Sequence, residues 1–361
     1  MRKKSDDEKS FLTEFKKEIM RIVPDIKILE KEAERISDNI QVLSDDERQT
    51  LIQSLERVYY IIFILKELTE FFKEKISFGG GSILNYLFIS SKDEAPRFTY
   101  DLDANWNLNV SNKRELLEEI VVFNAALSER YKVRLPVDER RYLDLYQAEY
   151  DIEKDYFPDI LSLRMPVLMR WSGLEFYRYV RSVANINMSF NLIRRLRKIF
   201  EEVLKIRDAK IDYIRFEISF KKDMPYKSYE IQLPFEFGRE KINITVIEYQ
   251  MASKIIEKLG KDYGDKIDLA AHDIIKTILD LRYLRYCDLN EVARYIDVLS
   301  EKYNVKKGEI MKNIVRNIRY VEKYLDEYMK KQYYILIRRK YSSREIISIV
   351  KSMLKTLGLF S

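Results

Sequence analysis

The sequence predicts an α+β chain, with a small mixed sheet flanked by N- and C-terminal helical regions. Three observations predict it. Apolar residues recur at helical spacing up to about Lys75, two later segments alternate strictly between apolar and polar side chains, and helical spacing returns from Glu248 to the end. Hydrophobic residues make up 46% and charged residues 34%, with only nine glycines and seven prolines among 361 residues. That composition belongs to a folded, helix-dominated protein long enough for two or three packed units.

The first helical stripe is Phe11, Phe15, Ile19 and Ile22. Pro24 interrupts it, because proline lacks the N–H that a helix ladder needs. Ser44 followed three residues later by Glu47 is a capping box opening a long apolar-rich helix. Residues 1–76 therefore read as a helical N-terminal region. At Gly79 the pattern changes: three of the nine glycines stand together in FGGGSILNYLF, a tight turn that opens a helix. The loop SSKDEAP then leads into a strand over residues 98–110. There Phe98, Tyr100, Leu102, Ala104, Trp106, Leu108 and Val110 face one way, and Thr99, Asp101, Asp103, Asn105, Asn107 and Asn109 the other.

A helix is expected from Ser111 through Leu127, and residues 136–186, aromatic-rich and mixed, read as an insertion. A basic amphipathic helix over 191–206 precedes the second alternating strand, with Ile214, Phe216, Ile218 and Phe220 opposite Tyr213, Arg215, Glu217 and Ser219. Strands over 228–237 and 242–247 complete the sheet of a core spanning 77–248. Residues 249–361 form a helical C-terminal domain, with Gly260 as a helix stop.

Several classes of function are excluded. Cys287 is the sole cysteine, which leaves neither an internal disulfide framework nor a cysteine cluster for zinc. His272 is the sole histidine, so Ser-His or Cys-His catalysis is hard to build. The opening MRKKSDDEKS is charged throughout, and the longest apolar run, residues 58–65, falls far short of the roughly 18 residues a membrane span needs. A cytoplasmic protein with no membrane partner is expected. The net charge of +6, from 65 basic and 59 acidic residues, permits contact with nucleic acid without demanding it. Abundant Lys, Glu, Ile and Tyr with little Cys is a composition expected of a thermophile.

Asp101 and Asp103, spaced D-x-D on one strand, project from the same face, close enough to share divalent metal ions. Mg²⁺ prefers such oxygen ligands alongside substrate phosphates. Phosphoryl chemistry on two metals usually adds a third carboxylate from a neighbouring strand, here Glu217 or Asp212. Strand parity favours Glu217, since Asp212 shares the side of Ile214 and Phe216. Gly80 and Gly81 supply backbone N–H groups that can approach phosphate closely. Ser82 adds a hydroxyl at the start of a helix whose dipole favours anions. A D-x-D on a half-exposed strand is, taken alone, most often solvated surface. The order of glycine turn, helix, D-x-D strand and later carboxylate strand is what sets this chain apart.

The strings GGSIL and RFTYDLD, in that order, resemble the first motif of the AbiEii/AbiGii-type nucleotidyltransferase toxins, within the DNA polymerase β-like nucleotidyltransferase superfamily. The family pattern is matched at Gly80, Gly81, Ser82, Arg97, Thr99, Asp101 and Asp103. The resemblance implies a polymerase β-like core in which IRFEISF supplies Glu217. EYQMASKIIEKL resembles the family's lysine-bearing helix, which implies Lys254 against a triphosphate. LAAHDIIKTILDL resembles the segment with a later essential aspartate, here Asp273, in a supporting role. It further implies Mg²⁺ or Mn²⁺ as cofactor, a nucleoside triphosphate (NTP) as donor, and transfer of its nucleoside monophosphate (NMP) to a hydroxyl acceptor with pyrophosphate leaving. The implied acceptor is tRNA or other RNA, and the implied partner a cognate antitoxin protein in a toxin–antitoxin or phage-defence pair. The resemblance covers residues 78–284. It departs in a longer loop between Ser82 and Arg97, in Thr99 where serine is common, and in an expanded region between Asp103 and Glu217.

Other readings stand beside these. Arg97 balances the carboxylates, holds phosphate, or is a surface ion-pair partner. Lys254 lies off the stripe of Met251, Ala252, Ile255, Ile256 and Leu259, as a solvent-facing lysine also would. His272 is left without a role. Arg194, Arg195, Arg197 and Lys198, with Lys330, Lys331, Arg338, Arg339 and Lys340, either line a groove for RNA phosphates or are solvated helix faces. Tyr333, Tyr334 and Tyr341 either stack bases or belong to the core. The rival functions are nucleotidyl transfer to a small molecule or protein, and a non-catalytic nucleic-acid-binding protein retaining the fold.

Overall fold

The computed structural model describes every residue except 1, 38–42, 89–93, 111, 132, 137–141, 155, 221–223, 332, 333 and 361. Helices α1 (Arg2–Ile22), α2 (Ile26–Ser37) and α3 (Asp45–Phe72) come first, broken at Pro24 as its missing donor requires. The capping box opens α3: Ser44 Oγ accepts the Glu47 N–H at 3.3 Å and Glu47 Oε2 accepts the Ser44 N–H at 3.0 Å. Strand β1 (Ile76–Gly79) runs into a short helix α4 (Gly80–Ser82), which continues as a π-helical turn over Ile83–Phe88.

The remaining elements are β2 (Asp101–Trp106), α5 (Lys113–Arg130), β3 (Arg134–Pro136), β4 (Tyr142–Asp144), β5 (Glu149–Tyr150), β6 (Ile160–Met169), β7 (Leu174–Glu175), α6 (Phe176–Ala184) and α7 (Phe190–Leu204), then β8 (Lys210–Ser219), β9 (Tyr226–Leu233) and β10 (Gly238–Thr245). Helix α8 (Ile247–Ser253) continues as a second π-helical turn over Lys254–Leu259. It is followed by α9 (Ile267–Leu281), α10 (Leu289–Tyr303), α11 (Lys307–Met329), α12 (Ile335–Lys340) and α13 (Ser343–Thr356).

One mixed sheet of eight strands holds the centre, in the order β5-β6-β8-β2-β1-β10-β9, with β7 also paired to β8. β2 runs parallel to β8 and β1 parallel to β10, while the other pairs are antiparallel. Helix α3 lies across this sheet against β1, β2, β6, β8 and β10, and its middle is buried almost all round. That explains its continuous apolar run, which is too short to span a membrane. Among the described residues, no helix is long and apolar enough to cross a bilayer.

The sheet is larger than the sequence suggested. Residues 136–186, read as an insertion, supply β5, β6 and β7, and β6 pairs with β8 along ten residues, from Ile160↔Ser219 to Met169↔Lys210. β2 is shorter than its alternation, covering Asp101–Trp106 rather than 98–110. Leu108 is half exposed, so the period continues in sequence after the ladder has ended. Helix α5 starts at Lys113 under an Asn112 cap, and Ser111 lies outside the described residues.

A buried ion pair fixes α3 to the sheet. Arg170, just after β6, donates its main-chain N–H to both Glu56 carboxylate oxygens, at 3.1 and 2.9 Å, and its Nη1 to Oε1 at 2.9 Å. Burial pushes the Glu56 carboxyl up to about 7, against the pull of Arg170. Replacing Arg170 by Met is expected to cost about 3–5 kcal/mol near pH 8, because an uncompensated carboxylate stays buried. Since a raised folded-state pKa means stability falls as pH rises, the loss should be smaller at pH 5, where Glu56 takes a proton. Chemical denaturation at the two pH values checks this.

Candidate active site

The candidate site forms where β1, β2 and β8 run side by side. Register places Gly79 opposite Asp103 and Asp103 opposite Glu217, one row across three strands, with Asp101 opposite Arg215 in the next row but one. Neighbouring strands lie roughly 5 Å apart. The pleat turns Asp101, Asp103 and Glu217 to one face and buries Leu102, Ala104, Phe216 and Ile218 on the other. Asp212 lies elsewhere, paired with Arg57 of α3.

Asp101 is exposed and accepts the Thr99 hydroxyl at 2.6 Å. Asp103 sits deeper. Burial first, then the like charges of Asp101 and Glu217, push its carboxyl up to about 7, opposed by Lys254 and Arg97. The three carboxylates thus hold repulsion that a cation would relieve.

The glycine turn packs against this face with no room for side chains. Gly80 has φ +70°, and a Cβ there would lie 1.7 Å from Asp103 Oδ2; at Gly81 a Cβ would lie 2.4 Å from Arg97 Nη2. Gly79, Gly80 and Gly81 line a cleft of about 350 Å³ together with Asp101, Asp103 and Glu217. The Gly80 N–H is donated to Gln250 Oε1 at 2.9 Å, which ties the turn to α8. Ser82 is buried, and its hydroxyl is donated to the Asp101 main-chain oxygen. It braces β2 from behind the cleft.

Lys254 and Arg97 meet on one carboxylate that sequence reasoning passed over. Asp280 has no exposure. Its Oδ1 accepts Arg97 Nε at 2.8 Å, while its Oδ2 accepts Arg97 Nη2 at 2.9 Å and pairs with Lys254 Nζ at 2.9 Å. Burial pushes this carboxyl up, but Arg97 and Lys254 outweigh it and hold the group well below the usual carboxylate range. Asn85 binds the same cluster, donating to Asp280 Oδ1 at 3.3 Å and to Gly81 O at 2.8 Å. Asp273 stands two turns earlier on α9, exposed, at the cleft edge with Lys258 and Lys276. Asp273 and Asp280 are seven residues apart on one helix face, in the string LAAHDIIKTILDL. The signal that could have found Asp280 was a carboxylate embedded among Ile278, Leu279 and Leu281, a position that demands a cation.

Three of the nine other basic residues named from the sequence are held by carboxylates. Arg197 pairs with Asp208 at 2.6 Å, and Arg338 and Arg339 pair with Glu47 at the start of α3. Tyr334 is buried, Tyr341 donates to Glu94 at 2.8 Å, and Tyr333 lies outside the described residues. His272 Nε2 lies 3.4 Å from the Tyr334 hydroxyl.

Among the described residues, no three acidic, histidine or cysteine groups stand close enough to hold a metal ion unaided. The donors on the carboxylate face are nevertheless all hard oxygens carrying excess negative charge. They fit an ion that completes its shell from phosphate and water, as Mg²⁺ does.

No protein-family model and no curated protein matches this chain. The solved structures it is similar to include these two. One is a nucleotidyltransferase from H. pylori, at 14% identity and a TM-score of 0.38, covering 87% of this chain and 96% of that one. The other is MenT4, a nucleotidyltransferase toxin from Mycobacterium tuberculosis, at 10% identity and a TM-score of 0.40, covering 88% of this chain and 90% of that one. Likeness at that level carries no functional argument, which rests on the site itself.

Two outcomes follow from this geometry. In metal-free buffer Asp103→Asn is expected to be more stable than the parent above pH 7, by up to about 3 kcal/mol, and the gain should fade towards pH 4. The sign follows from the raised carboxyl, whose cost to folding grows as pH rises from its unfolded value through its folded one; thermal melts across that range read it. Gly80→Ala should destabilise by about 1–3 kcal/mol, through its positive φ and the clash with Asp103, in the same melts.

Proposed function

We propose that this protein is a metal-dependent nucleotidyltransferase that moves an NMP from an NTP to a hydroxyl acceptor and releases pyrophosphate. The observation that carries this is the single row of Gly79, Asp103 and Glu217 across three adjacent strands, with Lys254 closing the same cleft. A glycine turn, a lysine and three oxygen ligands are the parts that binding a triphosphate and assisting attack at its α-phosphorus require.

Asp101, Asp103 and Glu217 are the residues that would hold Mg²⁺ or Mn²⁺. Such an ion neutralises phosphate charge and stabilises the attacking and leaving oxygens. The chain's own groups do the rest. The glycine turn lets phosphate approach the backbone without side-chain obstruction. Lys254, with Lys258 and Lys276 at the cleft edge, supplies positive charge for the triphosphate and the departing pyrophosphate. Asp280 positions Lys254 and Arg97 through its two oxygens. Glu217, beside Asp103, would serve as metal ligand or as the base that takes the acceptor's proton.

The motifs GGSIL and RFTYDLD support the finer reading of an AbiEii/AbiGii-type toxin, with tRNA as acceptor and a cognate antitoxin as partner. The decisive experiment incubates the protein with labelled NTPs and, separately, RNA, protein or small metabolites, with Mg²⁺, Mn²⁺ or chelator. Label should enter RNA, and only with metal. Label in protein or metabolites alone would reject the RNA acceptor, and no transfer to any of the three would reject the enzyme. Asp101→Ala with Asp103→Ala should lower kcat by about a thousandfold or more while the fold is kept. Asp280→Asn should raise the KM for NTP by about tenfold, because Lys254 loses its anchor.

A further inference from the structure

Asp101 stands between two clefts. One is the phosphate cleft. The other, about 370 Å³, opens on the far side of Asp101 and is walled by Arg57, Tyr100, Tyr213, Arg215, Lys276 and His272. Arg97, Asp101 and Lys276 line both, so whatever occupies the second cleft meets the first at the metal-binding carboxylate. A transferase must bring two substrates together at one such point.

The chemistry of the walls is specific. The Arg57 guanidinium carbon lies 4.8 Å from the Tyr100 ring centre, and that of Arg164 lies 4.4 Å from the Tyr213 ring centre, so both rings are held rigid by cations. Four cationic side chains line the cleft: Arg57, Arg97 and Arg215 are paired with Asp212, Asp280 and Asp151, and Lys276 has no ion pair among the described residues. Arg215 uses Nε on Asp151 Oδ2 at 3.2 Å, and its side chain is 48% exposed, so the rest of the guanidinium is left towards the cleft. Aromatic rings with arginines take a flat base and its phosphate, and they disfavour a cationic small molecule or basic peptide through like charge.

We infer that the second cleft is the acceptor subsite and takes the terminal nucleotide of a single-stranded RNA, its base against Tyr100 and Tyr213 and its phosphate towards Arg215 and Lys276. The terminal hydroxyl then faces Asp101. This rests on the proposed nucleotidyl transfer, but its test separates the two.

The probe is a 5′-labelled single-stranded RNA of mixed sequence with a free 3′-hydroxyl, followed by fluorescence anisotropy, with calorimetric titration of NTP on the same variants. Arg215→Glu and Tyr100→Leu should each weaken RNA binding by about tenfold, while Tyr100→Phe and Arg215→Lys keep most of it and NTP affinity stays within about twofold. The exposed Arg215 side chain makes that pair testable even if Tyr100→Leu fails to fold. Lost NTP affinity with RNA binding intact would overturn the inference, assigning this cleft to the donor's base. RNA binding unaltered in Arg215→Glu, or absent in the parent protein, would overturn it equally. A parent protein that binds the RNA through these residues but binds no NTP would support the cleft while sinking the nucleotidyltransferase.

Discussion

A carboxylate without access to water keeps its charge only when cations face it, and Asp280 is faced by two. Arg97 reaches it from the segment before β2 and Lys254 from the turn after α8. The C-terminal helices are thereby locked to the sheet at the place where β1 ends and β2 begins. Asn85 adds the helix after the glycine turn to the same knot through Gly81 O and Asp280 Oδ1. Any movement of α9 therefore moves the lysine, the arginine and the glycine turn together.

The opposite charge imbalance lies a few ångströms away. Asp101, Asp103 and Glu217 gather negative charge on the sheet face, and burial together with their repulsion raises the Asp103 carboxyl. One side of the cleft is thus a neutralised acid with two bases, and the other a cluster of three carboxylates. Such a division suits the proposed transfer from a triphosphate that arrives with metal, since each partner would satisfy the other's unmet charge. The left-handed backbone of Gly80, held against Asp103, belongs to the same design: the backbone occupies the space a side chain would need.

Alternation with period two was enough to assign Asp101, Asp103 and Glu217 to one side and Asp212 to the other, because pleating fixes side-chain direction without knowledge of partners. The same rule overran the ends of β2, since alternation continues wherever polar and apolar residues interleave, while a ladder stops when its neighbour turns away. Ser82 reads in sequence as a phosphate ligand and in the structure as a brace on the Asp101 carbonyl. A hydroxyl beside glycines carries no mark of which way it points.

The sequence by itself determined the order of elements outside residues 136–186, the helical ends, the capped start of α3 and the faces of the two carboxylate strands, all of which depend on neighbours within a few residues. Only the tertiary structure decided that β2 and β8 are adjacent and in register at Asp103 and Glu217, that residues 136–186 build part of the same sheet, and that Asp280 anchors Arg97 and Lys254. Those pairings lie beyond the reach of local periodicity, with Arg97 and Asp280 183 residues apart in the chain. Their free energy comes from burial and charge compensation that exist only once the chain has closed upon itself.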